Sequence, residues 1–186
     1  VSWTFGKIYR VDTHKIDDKS ILEMEDLELL TSEVRLPVEQ QGSGSRGYAV
    51  KQDGSNSLVT MRYMLKDFEV SAADTAFEAD GREFPIGSWL IKDQAGIKQR
   101  LAEAAEEAMV EVYGLKDMPE VASHELDLPR VALYHTWTST QPDGWVRYSL
   151  REAGVPYEYI NDDDLRAGGL NGRFDVILVA HQGGSG

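Results

Sequence analysis

Two runs decide the fold: residues 129–134, Pro129-Arg-Val-Ala-Leu-Tyr134, and residues 174–180, Phe174-Asp-Val-Ile-Leu-Val-Ala180. Between them lie a polar loop at 135–143, a segment of helical period at 144–153, a short strand-like run at 157–160, and an acidic loop with a short helix at 161–167. Short apolar, β-branched runs alternating with helical segments are the pattern of right-handed βαβ crossovers feeding a parallel sheet. The expected fold class is therefore α/β, a mostly parallel sheet with helices on both faces, preceded by an N-terminal extension. Run 174–180 is almost continuously apolar, which predicts a central strand covered on both faces. In such sheets ligands sit beyond the carboxyl ends of the strands, so the loops 135–143 and 181–186 are where a site is expected.

Upstream, residues 40–47, Gln40-Gln-Gly-Ser-Gly-Ser-Arg-Gly47, are polar and glycine-rich, and the boundary is placed there: an extension or linker over 1–45 and an α/β domain over 46–186. Those glycines are not followed by the lysine of a phosphate-binding loop, so a linker is the simpler reading. Within 1–36, residues 8–11 alternate as a strand would, and the carboxylates of 21–30 lack the order and glycine of an EF-hand, leaving a solvated face. Past the boundary, 47–50 read as a strand, Leu58, Met61 and Leu65 share one face of a helix, and 69–72 form a strand. Asp80-Gly81 between two half-buried runs predicts a hairpin leading into 88–91. Ile97, Leu101, Ala104, Ala105, Ala108, Met109 and Val112 make the apolar stripe of the next helix, with Asp93 as its cap and Gly114 as its stop. Residues 117–128 read as a connector into the organising strand.

Composition narrows the function classes. The 186 residues are 41% hydrophobic, enough for one well-formed core, and 32 acidic against 19 basic side chains leave a net charge of -13, which repels phosphate backbones and anionic lipid. No nucleic-acid partner and no membrane segment is expected. With no cysteine, thiolate metal sites, disulfides and cysteine nucleophiles are excluded from these residues. The chain begins at Val1 without a methionine and stops at Gly186 directly after a predicted strand, so it reads as a piece of something longer.

The candidate ligand-binding residues are His135, Thr136, Ser139, Gln141, His181, Gly183 and Gly184, the one cluster of polar side chains and glycine amides with donors suited to an anion or a carbonyl oxygen. Helix 144–153 begins beside the first loop, and its positive end reinforces that preference. Each reading has a plainer rival. His135 and His181 end strands where a general base belongs, yet neither has a partner in the sequence, and a hydrogen-bonded loop histidine is the favoured account of each. Thr136, Ser139 and Thr140 supply hydroxyls, but sequence neighbours seldom form a nucleophile–base pair. Asp143 serves as a helix cap, Asp162, Asp163 and Asp164 charge a helix start, and one of Trp137 and Trp145 is expected to be buried against the sheet. No catalytic residue and no metal ligand is assigned.

At Pro129-Arg-Val-Ala-Leu-Tyr-His135-Thr-Trp137-Thr-Ser-Thr-Gln141, Gly144-Trp145-Val-Arg147-Tyr-Ser-Leu-Arg151, Gly154-Val-Pro156-Tyr157 and Asp163-Asp-Leu165-Arg166-Ala-Gly168, the chain resembles the C-terminal region of large bacterial zinc carboxypeptidase-like proteins of the M14 type. Val1-Ser-Trp-Thr-Phe-Gly6 and Phe84-Pro85-Ile-Gly87-Ser-Trp-Leu-Ile91 are similar to segments that follow the peptidase domain there. The resemblance implies a class I glutamine amidotransferase-like, flavodoxin-like fold, a preceding peptidase domain of the same chain as partner, a secreted or periplasmic setting, and zinc held only in that peptidase domain. That family's zinc site needs a His-x-x-Glu pair, and none of His14, His124, His135 or His181 has Glu three residues on. An amidotransferase nucleophile would be cysteine, which is absent. The expectation is a non-catalytic accessory domain of a metallocarboxypeptidase-like protein. Its alternatives are an amidotransferase-like hydrolase with a nucleophile beyond Gly186 and a small-molecule binding module. The last five residues, Gln182-Gly183-Gly184-Ser185-Gly186, resemble the glycine turn of the amidotransferase oxyanion hole.

Overall fold

The computed structural model describes residues 17–25, 31, 41–42, 46–137 and 140–181. The chain divides into two compact units, Val1–Arg35 and Leu36–Gly186. In the first, a single 3-10 turn, Lys19–Glu23, is capped by the Asp18 carboxylate, which accepts a hydrogen bond from the Ser20 N–H at 2.9 Å. The strand expected at 8–11, residues 26–30 of the acidic segment 21–30, and the site residues Ser139, Gly183 and Gly184 lie outside the described residues.

The second unit holds eleven described strands. Six of them form one sheet: β1 (Gln41–Gly42), β2 (Gly47–Val50), β3 (Ser71–Ala73), β6 (Trp89–Lys92), β7 (Val112–Leu115) and β8 (Ser123–Glu125), in the order β1-β7-β2-β6-β3-β8. Helix α1 (Asn56–Met64) joins β2 to β3, the hairpin β4 (Phe77–Ala79) and β5 (Arg82–Phe84) precedes β6, and α2 (Ile97–Ala108) joins β6 to β7. Strand alternation sends Tyr48, Val50, Trp89 and Ile91 toward α1 and α2, where Leu58, Met61, Leu65, Ile97 and Leu101 complete one core. Ala49, Ala73, Leu90 and Leu115 point the other way, onto Phe77 and Phe84 of the hairpin, whose rings stack at 4.8 Å. The hairpin turns at Asp80 and Gly81 with φ of 48° and 74°, the primed geometry that matches strand twist and that Asp-Gly favours. The Asp80 carboxylate also accepts from the Lys116 N–H just beyond β7.

Strands β9 (Val131–Tyr134), β10 (Tyr157–Ile160) and β11 (Val176–Val179) make a second sheet, ordered β10-β9-β11 and parallel throughout. Helix α3 (Thr140–Glu152) is the crossover from β9 to β10, and α4 (Asp162–Ala167) follows β10. Asn161 and Asp164 form a capping box at the start of α4. Central β9 is the buried strand, with Ala132 and Leu133 fully enclosed, and Ile160 and Phe174 pack beside Ala132. The Arg130 fork joins the start of β9 to that of β11: two guanidinium nitrogens donate to the Asp175 carboxylate at 2.8 and 3.0 Å, and a third donates to the Gly172 carbonyl at 2.7 Å.

The structure is an α/β fold, and it corrects several expectations. The sheet is not mostly parallel: in the six-stranded sheet only β1 and β7 run parallel, and every other pairing is antiparallel. Two of those strands, β7 and β8, lie where the sequence reads as a helix end and a connector. Helix α2 ends at Met109, left-handed at φ 53°, where the Val110 N–H still reaches the Ala105 carbonyl; Gly114 is not its stop but a strand residue paired with Tyr48 and Gly42. A Cβ on Gly42 would stand 2.3 Å from the Gly114 carbonyl oxygen, so glycine there serves close strand approach. Asp93 is not the cap of α2. Its N–H is bound to the Arg46 carbonyl at the end of β6, and the helix starts after Gly96. Among the described residues, 174–180 do not form a central strand either: β11 pairs with β9 alone, and Val176, Ile177 and Val179 are exposed.

Candidate functional site

The site stands at the carboxyl end of the parallel sheet. In-register pairing brings Tyr134 level with Ile160 and with Val179, so the segments that start at His135, Asn161 and Ala180 leave the sheet at one edge. His135 follows β9 directly, and its N–H donates to the Ile160 carbonyl at 2.8 Å, which fixes the loop to the neighbouring strand. Helix α3 begins at Thr140, earlier than the expected 144, because Pro142 is tolerated in a first turn whose amides need no partner. Asp143 therefore sits inside that first turn rather than capping it, and it is buried. The alternation of β10 puts Tyr157 and Tyr159 on the face toward α3, where Arg147 touches both.

These elements converge on a small buried polar cluster. The Tyr159 hydroxyl donates to Asp143 Oδ2 in a short hydrogen bond. The His135 ring stacks on that of Tyr159 at 4.8 Å and meets the edge of Trp137 at 4.9 Å. Its Nδ1 stands 3.5 Å from Asp143 Oδ2, near enough for electrostatic attraction but too long for a good hydrogen bond. Nδ1 of His135 and Oδ1 of Asp143 are thus both shielded from solvent and both without a hydrogen-bond partner. Buried polar atoms are nearly always paired, so two orphans in adjoining side chains mark an incomplete hydrogen-bond network. The Tyr159 hydroxyl is pushed up to about 12, first by desolvation and then by its bond to the Asp143 carboxylate, although the outer part of its ring is exposed. It is held as a donor. The Arg147 guanidinium lies 5.1 Å from the centre of the Tyr159 ring and braces its outer face.

No family model, curated protein or solved structure matches this chain.

Of the expected site residues, His135 is at the centre of the cluster, Thr136 follows it, Gln141 is exposed in the first turn of α3, and His181 is exposed just past β11. Asp143 and Tyr159 were not singled out as ligand residues. Asp143 had the guise of a helix cap; the Pro142 before it is the signal that the helix starts sooner. Tyr159 carries only the two-residue alternation of Tyr157 and Tyr159 as a clue. Neither Trp137 nor Trp145 is buried against the sheet; both are exposed, Trp137 at 87%. Among the described residues no helix is long and apolar enough to cross a membrane, and no three His, Asp or Glu side chains are grouped to hold a metal ion.

Proposed function

We propose that this chain is a binding module rather than a catalyst: an accessory α/β domain of a zinc carboxypeptidase-like protein of the M14 type, recognising a small amide or carboxylate at the edge beyond β9 and β10. The observation that carries the binding role is the pair of buried, unpartnered atoms, His135 Nδ1 and Asp143 Oδ1. A primary amide supplies the N–H that Asp143 Oδ1 lacks and a carbonyl that can accept from His135 in the tautomer that carries its hydrogen on Nδ1. A carboxylate offers only acceptors and has to face Asp143, so amides are the preferred class. Asp143 itself occupies the positive end of α3, which leaves less of that field for a bound anion than the sequence suggests.

Tyr159 is read here as a donor that holds Asp143 in place: desolvation and its bond to the carboxylate push its hydroxyl up to about 12, so it stays protonated. Zinc belongs, on this reading, to the peptidase domain that the resemblance implies. The test of binding is an amide-shift titration of the ¹⁵N-labelled chain with acetamide and with acetate. Saturable shifts at His135, Gly144 and Tyr159 that are larger for acetamide and are abolished in Asp143→Asn support the proposal. Unmoved resonances at these residues throughout, with a water completing the pair instead, refute it. The accessory role has its own test, the coding sequence upstream of Val1: a His-x-x-Glu pair and a later His are expected, and an unrelated domain there contradicts it.

A further inference from the structure

A second feature lies along α3 and the turn after it, and it meets the cluster only through Arg147, whose guanidinium also packs on the Tyr159 ring. Strand β10 is an edge of the parallel sheet. Beside its start, α3 and the turn after it enclose an open groove of about 690 Å³ lined by Arg147, Tyr148, Arg151, Gly154, Pro156 and Tyr157, among others. Among the described residues no carboxylate lines it, in a chain whose net charge is -13. Its two arginines are one helical turn apart on α3 and exposed. Arg147 approaches the Tyr157 hydroxyl only at 3.4 Å, and Arg151 packs 5.7 Å over the Tyr148 ring with a long 3.7 Å contact to neighbouring Glu152, an exposed pair of little worth. Trp145 stands edge-on to Tyr148 at 6.1 Å and is 64% exposed, extending the aromatic surface along the helix.

From this juxtaposition we infer that the groove is a docking edge for an acidic peptide segment in extended form, added alongside β10 with its carboxylates on Arg147 and Arg151. The spacing favours this occupant. Four residues of helix rise about 6 Å, and alternate side chains of an extended strand repeat at about 6.6–6.8 Å. A Glu-x-Glu segment lying along β10 therefore presents two carboxylates at the interval of the two guanidinium groups, each able to engage in fork geometry. The intervening side chains turn away from α3, and the peptide backbone meets the outer N–H and C=O groups of β10, the mode by which sheet edges take up extended ligands. The overall negative charge of the chain opposes approach only weakly at physiological salt, where charges beyond about 8 Å are largely screened.

Two peptides of equal composition test it, acetylated Glu-Thr-Glu-Thr-Glu-Thr and Glu-Glu-Glu-Thr-Thr-Thr, titrated against the ¹⁵N-labelled chain. The alternating peptide is expected to bind at least several-fold more tightly, to shift Gly144, Gly154 and the amides of β10, and to weaken as salt rises. Arg147→Gln and Arg151→Gln, both at exposed positions, are each expected to cost about tenfold, and saturating acetamide is expected to leave this binding in place, which separates it from the amide site. Equal affinity of the two peptides, shifts confined to other surfaces, or full binding by the double glutamine variant overturns the inference.

Discussion

Replacing Tyr159 with Phe removes one oxygen and leaves Asp143 Oδ2 without its hydroxyl donor, beside an Oδ1 that already lacks a partner. A hydrogen bond to a charged group contributes about 1.5–3 kcal/mol, and stripping one partner from a buried carboxylate costs toward that figure. Water can reach part of the ring, which is 41% exposed, so the loss belongs at the lower end, about 1.5 kcal/mol. For a chain of this length that lowers Tm by roughly 3–6 °C. The clean assay is a double-mutant cycle in urea at neutral pH with Asp143→Ala as the second change. Tyr159→Phe should cost about 1.5 kcal/mol in the native background and close to nothing once Asp143 is gone, a coupling of about 1 kcal/mol or more. Equal costs in the two backgrounds, within about 0.5 kcal/mol, would show that the hydroxyl and the carboxylate do not act together and would remove the basis of the site.

Other consequences can be checked alongside. The Arg130 fork and the Arg130 N–H hold the Asp175 carboxyl down at about 2, so its contribution is fully present above the ordinary carboxylate range and disappears as pH falls through about 2; thermal melts between pH 5 and 2 should show a drop that Asp175→Asn lacks. Gly47→Ala would put a Cβ 2.5 Å from the Ile91 carbonyl oxygen within the sheet, with Met118 Sδ at 2.4 Å, and a cost of about 1–3 kcal/mol is expected by chemical denaturation, whereas a neutral change would mean that β2 and β6 are not so close. Gly144→Ala, in a helix with open space around the new methyl, should instead raise stability by about 0.5–1 kcal/mol. Leu101→Ala, fully buried between α2 and the sheet, should cost about 2–5 kcal/mol, and an unchanged melting temperature would contradict the core.

How much of this was legible depended on how strongly each segment declares its period. The βαβ order of 129–180 was readable because Val131–Tyr134, Tyr157–Ile160 and Val176–Val179 are short, apolar or β-branched, and separated by helical segments. Helix α2 was readable from its stripe, and the β4–β5 hairpin from Asp80-Gly81. The dominance of antiparallel pairing was not, because it depends on β7 and β8. Val112-Tyr-Gly-Leu115 reads as a helix end followed by a glycine stop, and Ser123-His-Glu125 is an exposed edge strand with no apolar pattern to reveal it. Phe174–Ala180 also differs from its reading: continuous hydrophobic character suits a strand covered on both faces, yet among the described residues β11 pairs with β9 alone. At the site, His135 was visible as the residue ending a strand. Asp143 and Tyr159 were not, because an aspartate near a helix start is usually a solvated cap and only tertiary packing buries this one.

The most direct measurement is a high-resolution crystal structure of the chain soaked in acetamide. The account predicts one acetamide beside His135, its nitrogen about 2.7–3.2 Å from Asp143 Oδ1 and its oxygen at similar distance from His135 Nδ1, with Tyr159 still bound to Oδ2. A lone water in that position, or acetamide bound only at other surfaces while these two atoms stay as they are, would contradict it.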